Sequence, residues 1–221
     1  ILAAYMLDAM AGDYQLPQLA AEYGLIPAGD SAVALAALIP NLALEMRARL
    51  AEQQMLELYE KMELPLSAVL ADMERAGVRV EGNKLAEMSG RLAAAAEQYQ
   101  EEIFAIAGHE FNLNSPKQLG VVLFEELQIP PTKKTKTGYS TNAEVLESLA
   151  GEWQIAARIL DYRLAAKLRS TYTDGLRQLI NPHTGKIHTT FTQTVTATGR
   201  LSSLEPNLQN IPIRHELGRR I

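Results

Sequence analysis

Two long helical stretches constrain the fold of this chain more than any other feature of its sequence. The first runs from about Asn83 to Ala107 and is followed by Gly108, and the second spans roughly residues 151–180 and stops at Asn181-Pro182. A helix of about 25 residues is about 37 Å long at 1.5 Å per residue. Since only a small helical excursion joins the two, we expect a protruding antiparallel pair of helices with a small helical tip.

The rest of the chain divides into short helices and a late change to strands. Short helices are expected within residues 1–30, Pro65 is expected to break a helix, and Ser115 is expected to cap another that has Pro116 at its first position. After Gly185 the run KIHTTFTQTVTAT is rich in β-branched residues and alternates, which indicates strands. The predicted fold class is therefore α+β, predominantly α, with a short antiparallel β segment after the long helices.

Composition excludes several classes of protein. The chain has 221 residues and 47% hydrophobic content, which is enough for a substantial core. It has no cysteine, so it forms no disulfide and no thiolate metal site, which fits a reducing cytoplasm. No apolar run approaches about 18 residues, so no membrane span is predicted. Because Ile1 is not an initiator methionine, we expect a fragment of a longer protein.

Charge is distributed unevenly along the chain. Residues 1–110 carry seven Lys/Arg and 17 Asp/Glu, a net charge of −10, whereas residues 111–221 carry 14 and nine, a net charge of +5. A polyanion would bind the basic half. Acidic helix faces beside a mildly basic half are equally common, so charge alone does not decide the partner.

The polar segment, residues 196–214, reads TATGRLSSLEPNLQNIPIR. It is a poor core, because each buried amide or guanidinium without a partner costs about 1–3 kcal/mol. Glu205 is its only carboxylate, and its guanidinium and amide side-chain donors belong to Arg200, Asn207, Gln209, Asn210 and Arg214. This composition favours a surface that hydrogen-bonds something polar and extended.

The polar segment resembles the entrance to the palm of bacterial polymerase I-type (family A) DNA polymerases. The stretches LSAVLADMERAGVRV, FNLNSPKQL, TKTGYST and KLRSTYTDGL resemble, in order, that family's thumb and its approaches. The resemblance implies the end of a 3′–5′ exonuclease-like domain in residues 1–50, a thumb region in 51–185 and the first palm strands in 186–221. The family's Tyr-x-x-x-Asp proofreading motif is missing, since Tyr23 and Asp30 lie too far apart, so we expect a degenerate exonuclease domain.

The lysine loop, residues 133–141, combines cations, hydroxyls and a glycine. Lysines attract phosphates as point charges, and hydroxyl groups hydrogen-bond phosphate oxygens. A solvated surface loop is the alternative, whereas the resemblance implies a thumb tip that grips the DNA backbone. The candidate phosphate-binding residues of this loop are Lys133, Lys134, Lys136, Thr137, Ser140 and Thr141.

Two further groups of residues are candidates for contact with the DNA backbone. On the second long helix, Arg163, Lys167 and the hydroxyl of either Ser170 or Thr171 follow i, i+4, i+7/8 spacing, so a shared face would track a phosphate strand. At the start of the helix capped by Ser115, the side chains of Asn112, Asn114 and Ser115 lie where free N–H groups suit an anion. An ordinary solvated helix face and plain helix caps are the respective alternatives.

Arg200 and the amides that follow it suit a copying enzyme. Such an enzyme must bind every base pair equally and still sense its geometry, and the minor groove presents purine N3 and pyrimidine O2 acceptors for every pair. Arginine and amide donors match these acceptors, and Gly199 permits close approach. The alternative is a structural turn with a satisfied arginine.

No catalytic or metal-binding residues are predicted in this chain. Residues 181–187, NPHTGKI, lack the first glycine and the closing hydroxyl of a phosphate loop, and the four histidines have no metal-ligand spacing, so they are expected to be ordinary hydrogen-bonded or surface residues. The resemblance implies two Mg²⁺ ions held by palm carboxylates, and these carboxylates and the nucleotide-binding helix are expected after Ile221. The fragment alone is therefore expected to be inactive.

The predicted function is to be part of a DNA-directed DNA polymerase that binds primer–template DNA for replication and repair. The resemblance also implies a monomer in the bacterial cytoplasm, associated with the nucleoid, with dNTP bound only by the full-length protein. Two alternatives stay open: a freestanding, non-catalytic DNA-binding module, and a helical interaction protein.

Overall fold

The computed structural model describes residues 1–29, 31–131, 134–135, 138–212 and 216–219, with the backbone alone at 134, 135, 216 and 217. The chain divides into two compact units. Unit 1 comprises Ile1–Val80 and Asn181–Asn210, and unit 2 comprises Glu81–Ile180 and Ile211–Ile221. These units do not follow the predicted domain borders at residues 50 and 185, which stay predictions about the polymerase as a whole.

The described residues form an α+β fold that is predominantly helical, as predicted. The α-helices are α1 (Leu2–Leu7), α2 (Leu16–Glu22), α3 (Ala32–Ala36), α4 (Ile39–Glu52), α5 (Leu56–Leu58), α6 (Leu64–Ala76), α7 (Gly82–Ala107), α8 (Pro116–Val121), α9 (Ala143–Leu149), α10 (Gln154–Lys167), α11 (Gly175–Gln178) and α12 (Glu216–Arg219). Turns of π-helix occupy Tyr59–Glu63, Val122–Glu126 and Leu168–Asp174. The strands are β1 (Val78–Arg79), β2 (Lys134–Thr135), β3 (Gly138–Tyr139), β4 (Lys186–Ile187), β5 (Thr190–Thr192) and β6 (Ser202–Leu204). None of the described helices is both long enough and apolar enough to cross a membrane.

Unit 1 packs short helices beside two short antiparallel ladders. In β1–β4, Val78 pairs with Ile187, and in β5–β6, Phe191 pairs with Ser203. One core cluster is formed by buried residues of α1, α2 and α4 and of the segment between the first two: Ala4, Tyr5, Tyr14, Leu19, Leu42 and Met46. The strands predicted after Gly185 are thus confirmed, and β4 pairs with a strand more than 100 residues earlier in the chain.

Pro65 does not break the chain into separate helices, so this prediction is wrong. It lies at the second position of α6, and a π-helical turn, Tyr59–Glu63, leads directly into that helix. A proline lacks an N–H and its ring collides with the carbonyl four residues earlier. The wider π turn removes that conflict locally, because its hydrogen bonds run from i to i+5.

The two long helices of unit 2, α7 and α10, run antiparallel, as predicted. Glu102 near the end of α7 pairs with Arg158 near the start of α10 at 2.6 Å, and Ser89 near the start of α7 donates a hydrogen bond to Asp174 at 2.6 Å. A residue late in α7 thus contacts one early in the second long helix, and a residue early in α7 contacts one late in it, so the two helices run in opposite directions. The helix predicted from Asn83 to Ala107 is confirmed, with its start one residue earlier, at Gly82.

The core of unit 2 lies at the end of α7. Ile103, Leu123, Leu146 and Ile159 are fully buried there. They come from α7, a π turn, α9 and α10, so four separate segments meet around one apolar cluster. Trp153, the single tryptophan of the chain, packs against this cluster and therefore provides an optical probe of it.

The second long helix departs from α-helical geometry after Lys167. Residues Leu168–Asp174 form a π turn before α11 begins at Gly175. A side chain on Gly175 would place its Cβ 2.9 Å from the carbonyl oxygen of Ser170, five residues earlier, so glycine allows this close approach. Arg169 and Asp174 form an ion pair at 3.3 Å, and this i, i+5 spacing fits a π turn.

His109 joins the end of α7 to the neighbouring π turn. Its Nε2 lies 2.7 Å from a carboxylate oxygen of Glu126, and its Nδ1 lies 3.1 Å from the carbonyl oxygen of Glu110. Both partners only accept, so the doubly protonated ring satisfies both contacts. The hydrogen bond to Glu126, with a smaller contribution from that to Glu110, raises the pKa of His109. Together with His188, which hydrogen-bonds the carbonyl of Glu74, this confirms the prediction of ordinary hydrogen-bonded histidines for these two.

Changing Glu126 to glutamine should lower the stability of unit 2 more in acid than in base. A histidine pKa that is raised on folding contributes stability below its unfolded value of about 6.5, and this contribution is lost as pH rises through the folded value. Urea unfolding of the chain and of Glu126→Gln at pH 5.5 and pH 8.5, followed by Trp153 fluorescence, tests this. An equal difference at both pH values would contradict it.

Candidate nucleic-acid interface

The first turn of the polar segment is held by two hydrogen bonds within unit 1. The hydroxyl of Tyr5 donates to the carbonyl of Thr196 at 2.6 Å, and Thr196 Oγ1 donates to the carbonyl of Arg200 at 2.8 Å. Gly199 lies between them with φ of +75°, a conformation that glycine adopts at little cost. The turn therefore has a defined backbone although it is at the surface.

A buried polar cluster fixes the part of the segment around β6. Ser203 is fully buried, and its Oγ accepts a hydrogen bond from the N–H of Leu208 at 2.8 Å. The hydroxyl of Thr189 donates to the carbonyl of Pro206 at 2.8 Å. Buried hydroxyls without partners would be unfavourable, and here the partners are backbone groups of the same loop and, between Thr189 and Ser203, the two hydroxyls themselves. The cluster therefore fastens residues 205–208 against β6.

Arg200 is the exposed cation of this segment within the described residues. Its guanidinium makes no hydrogen bond or ion pair with any residue that the structure describes. Its own carbonyl is held by Thr196, so the backbone is fixed while the charged group faces outward. The alternative of a structural turn with a satisfied arginine is thus not what this part of the structure shows. A fixed backbone with a free fork of five donors is suited to bind acceptors of another molecule.

The amides of the polar segment are more engaged within the protein than the sequence suggests. The Oδ1 atom of Asn207 accepts from the N–H of Gln209 at 3.0 Å, and Nε2 of Gln209 donates to the carbonyl of Leu201 at 3.0 Å. Asn210 is exposed and also interacts within the chain. Arg214 lies outside the described residues. DNA contacts by Asn207, Gln209, Asn210 and Arg214 stay predictions, and Gln209 would have to give up an internal hydrogen bond to make one.

The lysine loop is anchored on its C-terminal side. Tyr139 packs on Phe124 with ring centroids 4.9 Å apart, and a Cβ on Gly120 would approach Cβ of Tyr139 to 3.2 Å. The backbone of β2 and β3 pairs Lys134 with Tyr139, so a short ladder forms where only a loop was expected. Lys133, Lys136 and Thr137 lie outside the described residues, as does the side chain of Lys134, and their phosphate contacts stay predictions.

Ser140 and Thr141 face inward. Their residues are only 8% and 5% exposed, which leaves little surface for a phosphate. Thr141 is instead the partner of Arg163: Nη1 of Arg163 donates to the carbonyl of Thr141 at 2.5 Å. Burial lowers the pKa of the Arg163 guanidinium. The structure thus bonds Arg163 to Thr141 and buries Ser140, and DNA contacts by these three residues stay predictions.

Lys167 and Thr171 are both exposed. The spacing that predicts a shared face with Arg163 assumes an α-helix, whereas Thr171 lies within the π turn after α10. Periodicity alone gave no sign of that turn, although Gly175 inside a helical pattern was a signal that could have raised the question. Their contact with a phosphate strand stays a prediction.

Ser115 caps α8 in this structure, and Asn112 closes a turn just before it. Oδ1 of Asn112 accepts from the N–H of Asn114 at 2.9 Å, and Oγ of Ser115 accepts from the N–H of Gln118 at 3.4 Å. The side chain of Gln118 reaches back to the N–H of Asn112 at 2.8 Å. The predicted cap at Ser115 is therefore confirmed, Asn114 is exposed, and anion binding by this group stays a prediction.

Comparison with known proteins supplies the family. The sequence profile described as DNA polymerase family A matches residues 82–221. The chain is 50% identical to DNA polymerase I of Bacillus subtilis (strain 168) over 87% of its length and 22% of that protein. It is 47% identical to the thermostable DNA polymerase I of Thermus thermophilus, covering 100% of this chain and 27% of that protein. The chain thus spans about a quarter of the length of these relatives.

A solved structure agrees with the sequence matches. The POL domain of Pol1 from M. smegmatis, determined in complex with DNA primer-template and dNTP, has a TM-score of 0.88 and 42% sequence identity. The similarity covers 100% of this chain and 39% of that one. These matches favour the polymerase interpretation over the freestanding DNA-binding module and the helical interaction protein. The chain belongs to DNA polymerase family A.

Proposed function

We propose that this chain is the part of a DNA-directed DNA polymerase that holds primer–template duplex. In this proposal residues 1–50 are the end of a degenerate exonuclease-like domain, residues 51–185 the thumb region and residues 186–221 the first palm strands. The observation that carries it is Arg200, an exposed guanidinium with no partner among the described residues, on a turn whose backbone is held by Thr196.

Arg200 is proposed to bind the minor groove of the duplex. Every base pair presents an acceptor there at purine N3 and pyrimidine O2, so donors in that groove bind all four pairs alike. A guanidinium keeps its charge at neutral pH and holds its donors in a planar fork. Arg200 would therefore test the shape of a base pair without reading its sequence.

The partners follow from the same proposal. The M. smegmatis relative was determined with DNA primer-template and dNTP, which supports primer–template DNA as the partner of this chain. We assign dNTP binding to the complete polymerase. The relatives named above are bacterial DNA polymerases, which supports a bacterial polymerase. We further propose a monomeric enzyme of the bacterial cytoplasm that acts at the nucleoid in replication and repair.

Metal chemistry is assigned to the polymerase outside residues 1–221. The family implies two Mg²⁺ ions, which stabilise the attacking and leaving oxygens when bound. Within the described ranges no group of three or more His, Cys, Asp or Glu side chains is arranged to hold a metal ion. The donor set described here does not fit such a site, so the contribution proposed for this chain is binding and orientation of the duplex.

The chain alone should bind primer–template duplex weakly and extend no primer. Binding requires the cations named above, whereas nucleotide addition requires the metal carboxylates assigned elsewhere. Fluorescence anisotropy with a labelled duplex measures the first, and primer extension with Mg²⁺ and all four dNTPs measures the second. Synthesis that persists after contaminating polymerase is removed would contradict the proposal, and so would an absence of salt-dependent binding.

Changing Lys133, Lys134 and Lys136 together to alanine should flatten the salt dependence of duplex binding. Removing one lysine–phosphate interaction reduces the slope of log K against log salt by up to about 0.9, because fewer counterions are released. Anisotropy titrations of the chain between 50 and 200 mM salt, the range over which such interactions are usually resolved, measure the slope.

The matched control removes three cations elsewhere. Lys61, Arg75 and Lys84 are exposed and pair with acidic neighbours three or four residues away on their own helices or just before them. Their alanine variant changes the net charge equally and should leave the slope nearly unchanged. If both triple variants flatten the slope alike, only net charge matters and the lysine loop is an ordinary solvated loop.

A further inference from the structure

We propose that Gln209 is a positioning residue that holds Arg200 in place from within the protein, and that it does not act as a donor to DNA. The inference rests on the proposed function of Arg200. It concerns a different pair of contacts, namely the hydrogen bonds to the backbone carbonyls of Arg200 and Leu201.

Both polar atoms of the Gln209 side chain are used on the strand that follows Arg200. Nε2 donates to the carbonyl of Leu201 at 3.0 Å, and Oε1 accepts from the N–H of Ser203 at 3.3 Å. Residues two apart in a strand point their backbone groups to the same edge. The carboxamide therefore pairs with that edge as a neighbouring peptide group would.

A second clamp acts on Arg200 itself, one residue before Leu201. Thr196 Oγ1 donates to the carbonyl of Arg200 at 2.8 Å, and Gln209 holds the carbonyl of Leu201, the next residue. Two consecutive peptide groups, those on either side of the Cα of Leu201, are thereby held, so the backbone is anchored directly after Arg200. The backbone that carries the guanidinium is thereby held to the protein on the side that leads into β6.

Release of Gln209 toward DNA would have a cost inside the protein. Ser203 is fully buried, and its N–H would lose the side-chain acceptor that it now has. A buried donor without an acceptor is unfavourable. The exposed carboxamide of Gln209 is therefore ordered by the chain itself, which distinguishes it from Arg200, whose donors have no partner among the described residues.

Hydrogen exchange tests the clamp without DNA. In the 221-residue chain, Gln209→Met keeps most of the side-chain volume and removes both hydrogen bonds. The amide of Ser203 should then exchange about two- to tenfold faster, as expected for loss of one ordinary hydrogen bond. The amide of Leu208, which donates to Ser203 Oγ, is the internal reference and should change less. Unchanged exchange at Ser203 would overturn the proposal.

A double-mutant cycle tests the functional link. The enzyme is a chimera in which residues 1–221 replace the segment that they match in the thermostable DNA polymerase I of Thermus thermophilus. Active-site titration sets the active concentration. Gln209→Met should lower kcat/KM for primer extension about two- to tenfold. In a background that already carries Arg200→Ala, the same change should lower it less than about twofold, because residues that act as a unit are not additive.

Thr196 provides a second variant pair for the same cycle. Thr196→Val removes the hydroxyl with little change of shape and should behave like Gln209→Met, whereas Thr196→Ser keeps the hydroxyl and should extend primers at the parental rate. If Gln209→Met acted through a general loss of stability, its effect on kcat/KM would multiply with that of Arg200→Ala. The same would hold if it acted through lost direct contacts of Gln209 with DNA. Multiplicative effects on kcat/KM would therefore overturn the positioning role of Gln209 and leave the proposed function of Arg200 intact. Parental activity in the Arg200→Ala enzyme would overturn both.

Discussion

Changing Arg200 to alanine in the chimeric polymerase should slow primer extension by about five- to 150-fold. This range corresponds to about 1–3 kcal/mol for a good bidentate contact with base edges. The loss should be similar for all four base pairs at the primer terminus, because the minor-groove acceptors are shared. Single-turnover extension of four primers that differ only in the terminal pair measures it.

Arg200→Lys and Arg79→Ala are the controls for this experiment. Lysine keeps the charge and loses the planar fork, so Arg200→Lys should not restore the rate. Arg79 is an exposed arginine on β1, and its loss should leave extension nearly unchanged. Parental rates in Arg200→Ala, or failure at only one kind of terminal pair, would show that Arg200 does not bind the minor groove in the way proposed.

Changing Ile103 to alanine should lower the free energy of unfolding of unit 2 by about 2–5 kcal/mol. Ile103 is fully buried at the centre of the cluster where α7, α9 and α10 meet, so truncation removes apolar burial and leaves a cavity. Urea unfolding followed by the fluorescence of Trp153, which packs on that cluster, measures the loss in this unit.

Ile106, on the same helix, is the matched control. It is 37% exposed, so Ile106→Ala removes the same atoms from a site where water already reaches the side chain. Its effect should be clearly smaller, about 1 kcal/mol or less. Equal losses for the two variants would mean that the cluster around Ile103 does not stabilise unit 2 as its burial indicates.

The sequence alone predicted the elements whose signals are local. The long helix α7 was predicted to within one residue, because Gly108 follows it in the left-handed conformation that ends helices. The cap at Ser115 and the strands after Gly185 rest on equally local preferences. The family was evident from four short stretches and the polar segment, since the order of many specific residues along a chain is itself information.

The π turns were not predictable from periodicity. At residues 59–63 and 168–174 the helix gains a wider turn, which shifts the faces that i, i+4 spacing assigns. A proline six residues after the first turn begins, and a glycine directly after the second, are compatible with many local structures. Which of these structures forms at Pro65 and Gly175 is determined in the folded chain, by the helical turns on either side of each residue.

By itself the sequence determined the fold class, the family and the set of donors from which an interface is drawn. Only the tertiary structure decided which of those donors are already used: Arg163 is bonded to Thr141, Gln209 is bonded to Leu201, and Arg200 has no partner among the described residues. The reason is physical. A guanidinium or an amide has the same donors wherever it stands in the sequence, and its availability depends on which backbone acceptors the fold brings within about 3 Å of it.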